Sequence, residues 1–257
     1  MIRRARRRRT AAPAWVLGAV LPLLLAGCGG ADEGTNGVSE LSAGTIEKKA
    51  RAAAEAADSV RLSGTVVSKG QAYRLEMRLK RSGGIGEVST RGGNTFQLLR
   101  VKDELYLKAN SEFWIQQEQG ADADSPSKAD RAAAKKLEGM YVKVPKGDSA
   151  YDQLSSFTRM RVLLDGLLTM KGERERGETT KVDGVPAVEV RADGGRGGTM
   201  YVALNGKPYP LRMERGGGAG TVRLDDWNTK FAMRAPKDEQ VVDYGKKISA
   251  GDEPEKS

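Results

Sequence analysis

Between residues 72 and 80 the chain alternates: Tyr73, Leu75, Met77 and Leu79 are separated by Arg74, Glu76, Arg78 and Lys80. A period of two sends alternate side chains to opposite faces of an extended strand, so this stretch demands an antiparallel sheet with one dry and one wet face. Similar runs at 61–68, 85–90, 95–101 and 104–109 extend it, the last two joined at Lys102-Asp103 as a hairpin.

The second half repeats the pattern. Asp183-Gly184 and Asn205-Gly206 are dipeptides that tolerate the positive φ of tight turns. The dry faces between and beyond them are Val188 and Val190; Met200, Val202 and Leu204; Leu211 and Met213; Val222 and Leu224; then Phe231 and Met233.

Three helices interrupt the strands. Residues 42–57 are rich in Ala, Glu, Lys and Arg, with Glu47 and Arg51 four apart as a supporting pair. Residues 128–137 follow a Ser127 cap and precede Gly139, after an exposed polar loop over 116–127. A third, the most hydrophobic, runs from a capping box at Ser149 and Asp152 through Tyr151, Leu154, Phe157, Met160, Leu164, Leu167 and Leu168 to Met170. The expected fold class is therefore α+β, a curved antiparallel β-sheet with helices packed on its concave face.

Ahead of this domain, Arg3, Arg4 and Arg6 to Arg9 precede an apolar stretch from Trp15 to Leu25, the charge and hydropathy order of a secretory signal. The apolar stretch falls short of the ~20 residues that span a bilayer. Leu25-Ala26-Gly27-Cys28 has the form of a lipobox, in which small residues admit a peptidase before a lipidated cysteine. The expected organisation is a signal peptide over 1–27, a flexible tether over 28–40 starting at lipidated Cys28, a domain over 41–245 and a disordered tail over 246–257. The chain would then sit on the extracytoplasmic face of the cell membrane, held by Cys28. The plain alternative is an ordinary cleaved signal with a coincidental cysteine.

Composition excludes several functions. The 43 Lys+Arg include the six arginines of the signal, so 37 positive charges face 34 Asp+Glu in the remainder, an excess of three. That near balance, with the signs interspersed, argues against nucleic acid as a partner. The single Cys leaves no intramolecular disulfide and no cysteine-based zinc site, and the absence of His removes the commonest general base and metal ligand. The glycines of 215–221 lack a phosphate-loop lysine, and Asp225 and Asp226, being adjacent, point to opposite faces of a strand. No catalytic residue, cofactor or metal site is expected, and the chain is read as a non-enzyme. A sheet with such dry faces can either be plugged by its helices or leave a hollow for an acyl chain.

Several stretches resemble the LppX/LprAFG lipoproteins of actinobacteria, half-barrel carriers of the Lol-like kind. They are Cys28 in its lipobox; SVRLSGTV (59–66); ELYLK (104–108) with Trp114; YVKVP (141–145); KVDGVPAVEV (181–190); MYVALNGKPYPLRM (200–213); and Ala235-Pro236 with Val241-Val242-Asp243. The resemblance implies roughly ten antiparallel strands bent into an open half-barrel around helices, with an apolar cavity between. It also implies a membrane-anchored lipoprotein that binds or carries acylated lipid or glycolipid, with a membrane exporter as a possible partner. Cavity-lining positions implied on the matched strands are Leu105, Leu107, Val202, Leu204, Leu211 and Met213, with Leu164 and Leu168 on the helix opposite. The competing reading is an envelope interaction or sensing lipoprotein of the same fold with a filled core.

Overall fold

The computed structural model describes residues 35–243 except 69, 91–93 and 120–125. The proposed signal peptide, Cys28 and the tail from 246 onward lie outside the described residues.

One open sheet of twelve strands, counted among the described residues, organises the domain. From its middle, β1 (Ser59–Ser68), β2 (Gln71–Lys80), β3 (Gly83–Thr90), β4 (Thr95–Val101), β5 (Glu104–Ala109) and β6 (Tyr141–Val144) step outward as a meander. A second meander steps inward from the opposite edge through β7 (Arg174–Val182), β8 (Val185–Ala192), β9 (Gly198–Ala203), β10 (Pro210–Arg215) and β11 (Thr221–Asp225). The two join where β11 pairs with β1. That seam is tight at Gly64, at φ +147°, where a Cβ would lie 2.2 Å from the Thr221 carbonyl oxygen. All these pairs are antiparallel; only β12 (Val241–Val242) lies parallel, against β6. The expected fold class, an open half-barrel of antiparallel strands with helices over one face, is the one observed.

The alternation at 72–80 does what its period requires. Leu75, Met77 and Leu79 are buried while Arg74, Glu76 and Arg78 are exposed. The same face carries Leu62, Val88, Leu98, Leu105, Val190, Met200, Val202, Met213 and Leu224 into a single core under the helices. Leu211 departs from its expected place. In the pairing with β9, Pro210 faces Val202 and Arg212 faces Tyr201, leaving Leu211 as an extra residue. This bulge reverses the parity of β10, so Leu211 packs with Val182, Ala187 and Tyr201 on the other face, away from Met213. Phe231 and Met233 also depart, since residues 226–240 form no strand and leave both half-buried.

Five α-helices, again among the described residues, accompany the sheet: α1 (Ala43–Ala56), α2 (Ser111–Gln119), α3 (Lys128–Leu137), α4 (Ser149–Ser156) and α5 (Met160–Leu167). In α1, Ala43, Ile46, Ala50 and Ala54 form the buried stripe, and the short side chains of its three alanines let the helix settle onto β7 to β10. The expected Glu47–Arg51 pair is not made. Glu47 receives Arg174 of β7 at 2.5 and 3.2 Å, and Arg51 donates to the Leu168 carbonyl at 3.1 Å. For α3 the Ser127 cap is observed as a full capping box with Asp130.

The tether, α2 and the third helix depart from expectation. Residues 35–40 are not a leash: Asn36 donates from its backbone to Leu204 and from its side chain to Ala203 and Gly206, and Val38 is only 3% exposed. The amide of Asn36 thereby satisfies carbonyls at the Asn205-Gly206 turn, which explains why so polar a stretch is ordered. Residues expected in the 116–127 loop begin inside α2, whose first turn is held by Asn110 accepting from the Phe113 N–H at 3.0 Å.

The long helix expected over 151–170 is two helices with a corner at 157–159. Thr158 turns its hydroxyl to the Ser155 carbonyl at 2.9 Å, and its own carbonyl accepts Arg100 Nη2 at 2.9 Å. The corner rests on Gly84, where a Cβ would lie 2.5 Å from Leu79 Cδ2 and 3.1 Å from the Thr158 carbonyl. Gly84→Ala should therefore push the corner off the sheet and destabilise the domain by ~1–3 kcal/mol through overpacking. Urea unfolding checks this; an unchanged midpoint would show that the close approach at Gly84 does not hold the corner.

Candidate functional site

The interior between sheet and helices is filled on one side and open on the other. Under α1, residues of β8 to β10 such as Val190, Met200, Val202 and Met213 are fully buried, as is Val222 on the neighbouring β11. Under α4 and α5, two clefts open, one on each side of the 157–159 corner: Phe157 lines the first, and Arg159 and Met160 line the second.

The first cleft, of about 250 Å³, is aromatic. β2, β4 and β5 supply Tyr73, Phe96 and Leu107, α2 supplies Phe113 and Trp114, and α4 with its C-cap supplies Leu154 and Phe157. The rings support one another: Tyr73 and Phe157 lie 5.8 Å apart, Phe96 and Phe113 5.2 Å, and Phe113 meets Trp114 edge-on at 5.2 Å. Trp114 is 4% exposed, and its indole Nε1 has no hydrogen-bond partner among the described residues. A buried indole N–H normally finds an acceptor, so this donor is an unsatisfied polar group in the wall of the cleft.

The second cleft, of about 440 Å³, opens where Arg81 of the β2–β3 turn and Arg100 of β4 approach α1 and α5. This volume lies within the ~300–1,000 Å³ of small-molecule sites, whereas the first cleft falls slightly below it. Ala54 and Ala57 from α1 and its C-cap, with Met160, Leu164 and Leu168 from α5 and its C-cap, make the apolar walls. Around them stand Arg51, Arg81, Arg100, Arg159 and Arg161, against Glu55 and Asp165. No side chain caps the N-terminus of α5, whose first turn also lines the cleft.

Arg100 anchors this arrangement. It lies on the same face of β4 as Phe96 and Leu98 and is 8% exposed. Nε donates to Thr158 Oγ1 at 3.0 Å, Nη2 to the Thr158 carbonyl, and Nη1 to the Lys102 carbonyl. Burial pulls its pKa below the ordinary arginine value, Tyr151 opposes that, Arg159 adds to it, and Asp103 opposes it.

Of the eight positions implied as cavity lining, the structure brings three to open space. Leu107 lines the aromatic cleft, and Leu164 and Leu168 line the arginine cleft. Leu105, Val202, Leu204 and Met213 are buried in the core and line neither cleft, while Leu211 lies on the opposite face. The residues that sequence reasoning missed are the arginines, Arg100 above all. Its signal was its parity: in Phe96, Leu98 and Arg100 the third member of a dry row is charged.

No protein-family model matches the chain, and no curated protein sequence does. Among solved structures it is similar to LprF from Mycobacterium bovis, at 13% identity and a TM-score of 0.46 over 76% of this chain and 96% of that one. It is also similar to lipoprotein LppX from Mycobacterium tuberculosis, at 14% identity and a TM-score of 0.42 over 74% and 97%. A third is an uncharacterised conserved protein from Thermus thermophilus, at 11% identity and a TM-score of 0.34 over 78% and 98%.

The division between filled and open halves can be tested by adding volume to each. Leu204→Trp inserts a ring into packed core and should cost ~1–3 kcal/mol, whereas Leu107→Trp extends into the aromatic cleft and should cost less than ~1 kcal/mol. Equal losses in guanidinium unfolding would mean the two positions are equally packed.

Proposed function

We propose that this chain is a membrane-anchored lipoprotein whose domain binds an acylated lipid or glycolipid in the open half of its interior. The observation that carries the reading is the aromatic cleft with its orphan donor. Its walls offer rings and aliphatic groups that favour hydrocarbon, and one wall residue, Trp114, carries a buried indole Nε1 with no partner among the described residues, a donor that a small shift of the ring would turn to an acceptor in the cleft. An acyl ester has that chemistry, an apolar chain beside one carbonyl acceptor. Hydrocarbon entering the cleft leaves water, at about 0.8 kcal/mol per methylene buried, and the carbonyl relieves a donor that is otherwise unpaired.

The anchor is the second half of the proposal. A diacylglycerol thioether at Cys28 would hold the domain at a bilayer surface with two chains, enough for stable attachment where one chain binds reversibly. The lipobox supports this step. A domain so held has lipid as its nearest apolar ligand.

A filled-core interaction module is the competing function, and the packing of Val202, Leu204 and Met213 under α1 favours it for that half of the sheet. Solvent extraction of the purified chain followed by mass spectrometry distinguishes the two. A carrier releases acylated species and takes up a fluorescent fatty-acyl ester; a filled module releases none and takes up nothing. Trp114→Phe keeps the ring and removes the donor, and should weaken the ester probe by the ~0.5–1.5 kcal/mol of one hydrogen bond while leaving a plain alkane probe unaffected. Cys28→Ser should move the protein from the membrane pellet to the soluble fraction; continued pelleting would sink the anchor.

A further inference from the structure

The arginine cleft is not needed to hold hydrocarbon, and its charge calls for an account of its own. Five guanidinium groups against two carboxylates leave its lining with an excess of three positive charges. Three of the five have carboxylate neighbours that do little to neutralise them. Arg51 is 3.8 Å from Asp165, Arg81 is 3.3 Å from Asp58, and Arg159 is 4.0 Å from Asp152. Each of those acids is at least 60% exposed, so the pairs are screened by water and weak. The Arg161 side chain makes no ion pair or hydrogen bond among the described residues.

Arg100 is the telling member. Its hydrogen bonds run to a hydroxyl and two carbonyls, all neutral, so this buried cation lines the cleft with no carboxylate in ion-pair contact among the described residues, Asp103 acting on it only from a distance. Buried charges are normally paired, and planar guanidinium groups match the oxygens of phosphate and carboxylate. Beside the arginines lie the apolar Met160, Leu164 and Leu168. One small space thus offers an oxyanion site edged by hydrocarbon.

We propose that the cleft between α1 and α5 is a headgroup site that selects amphiphiles carrying a phosphate ester over neutral ones. This rests on the lipid-binding reading and narrows it to a ligand class. The oxyanion lies among Arg100, Arg159 and Arg161, and the adjoining chain lies over Leu164 and Leu168.

The experiment is calorimetric titration of the full chain, held in a neutral maltoside detergent, with short-chain phosphatidic acid, the matching diacylglycerol, and inorganic phosphate. Phosphatidic acid should bind at least about tenfold more tightly than diacylglycerol. Raising salt from ~50 to ~500 mM should erode that advantage, because exposed charges are screened over a shorter length. The double variant Arg159→Gln, Arg161→Glu should bring phosphatidic acid down to the level of diacylglycerol while thermal melting stays cooperative, and Arg161→Lys should retain most of the preference.

Equal affinities for the two lipids in the native chain would overturn the headgroup site and leave lipid binding standing. So would a preference that survives the double variant. Inorganic phosphate binding as tightly as phosphatidic acid would overturn it too, since the cleft would then serve a soluble anion. Binding of neither lipid would overturn the lipid-binding reading and this inference together.

Discussion

The open half of this molecule depends on one guanidinium. Arg100 reaches from β4 into the interior and directs its donors to Thr158 and Lys102, and the chain breaks from α4 into α5 where it is held. Side chains from Tyr151 to Leu168 have the spacing of a single helix, and nothing in 157–159 forbids one, since neither Pro nor Gly occurs there. A continuous helix would lay one straight apolar stripe along the sheet. The corner instead points α4 and α5 in different directions and leaves a cleft on either side. Lysine could not replace Arg100, because three acceptors spread over Thr158 and Lys102 require the planar fork.

The closed half is built on the opposite principle, small residues at a close contact. Ala43, Ala50 and Ala54 let α1 approach β7 to β10, with Ile46 the one bulky side chain among its buried positions, and Arg174 ties the helix to the edge strand through Glu47. Met200, Val202 and Met213 then meet a helix backbone at short range and are enclosed completely. Facing the interior and lining a hollow are separate properties. Strand parity decides the first, and whatever stands opposite decides the second.

That distinction sets the limit of what the sequence could tell. The period of two located β1 to β5 within two residues, and Lys102-Asp103 and Asp183-Gly184 were legible because Lys102, Asp183 and Gly184 adopt the positive φ that such turns need. Parity failed at Leu211 because the bulge is a property of the pairing with β9 and leaves no mark in the spacing of β10 itself. The end of α2, from Gln116, reads as loop because its glutamines look polar, although Gln and Glu form helices well and Asn110 is placed to cap it. The packed identity of Leu105, Leu204 and Met213 was out of reach for a tertiary reason, the position of α1 and its neighbours over them.

Cost and compensation explain why the two halves coexist in one sheet. An unpaired indole N–H, a buried cation without an ion-pair contact and two clefts are each unfavourable features of a folded chain. The indole and the aromatic cleft lie in the half covered by α2 and α4, and Arg100 and its cleft lie where that half meets the C-terminal end of α1. The seam at Gly64 joins that half to a second meander whose core is complete, so the strained half shares a continuous hydrogen-bonded sheet with a well-packed one. Local departures from good packing persist in native proteins where the surrounding structure over-determines them. Here the over-determining structure is the α1-covered meander, which gives the clefts a rigid frame and leaves their lining free to serve a ligand rather than the fold.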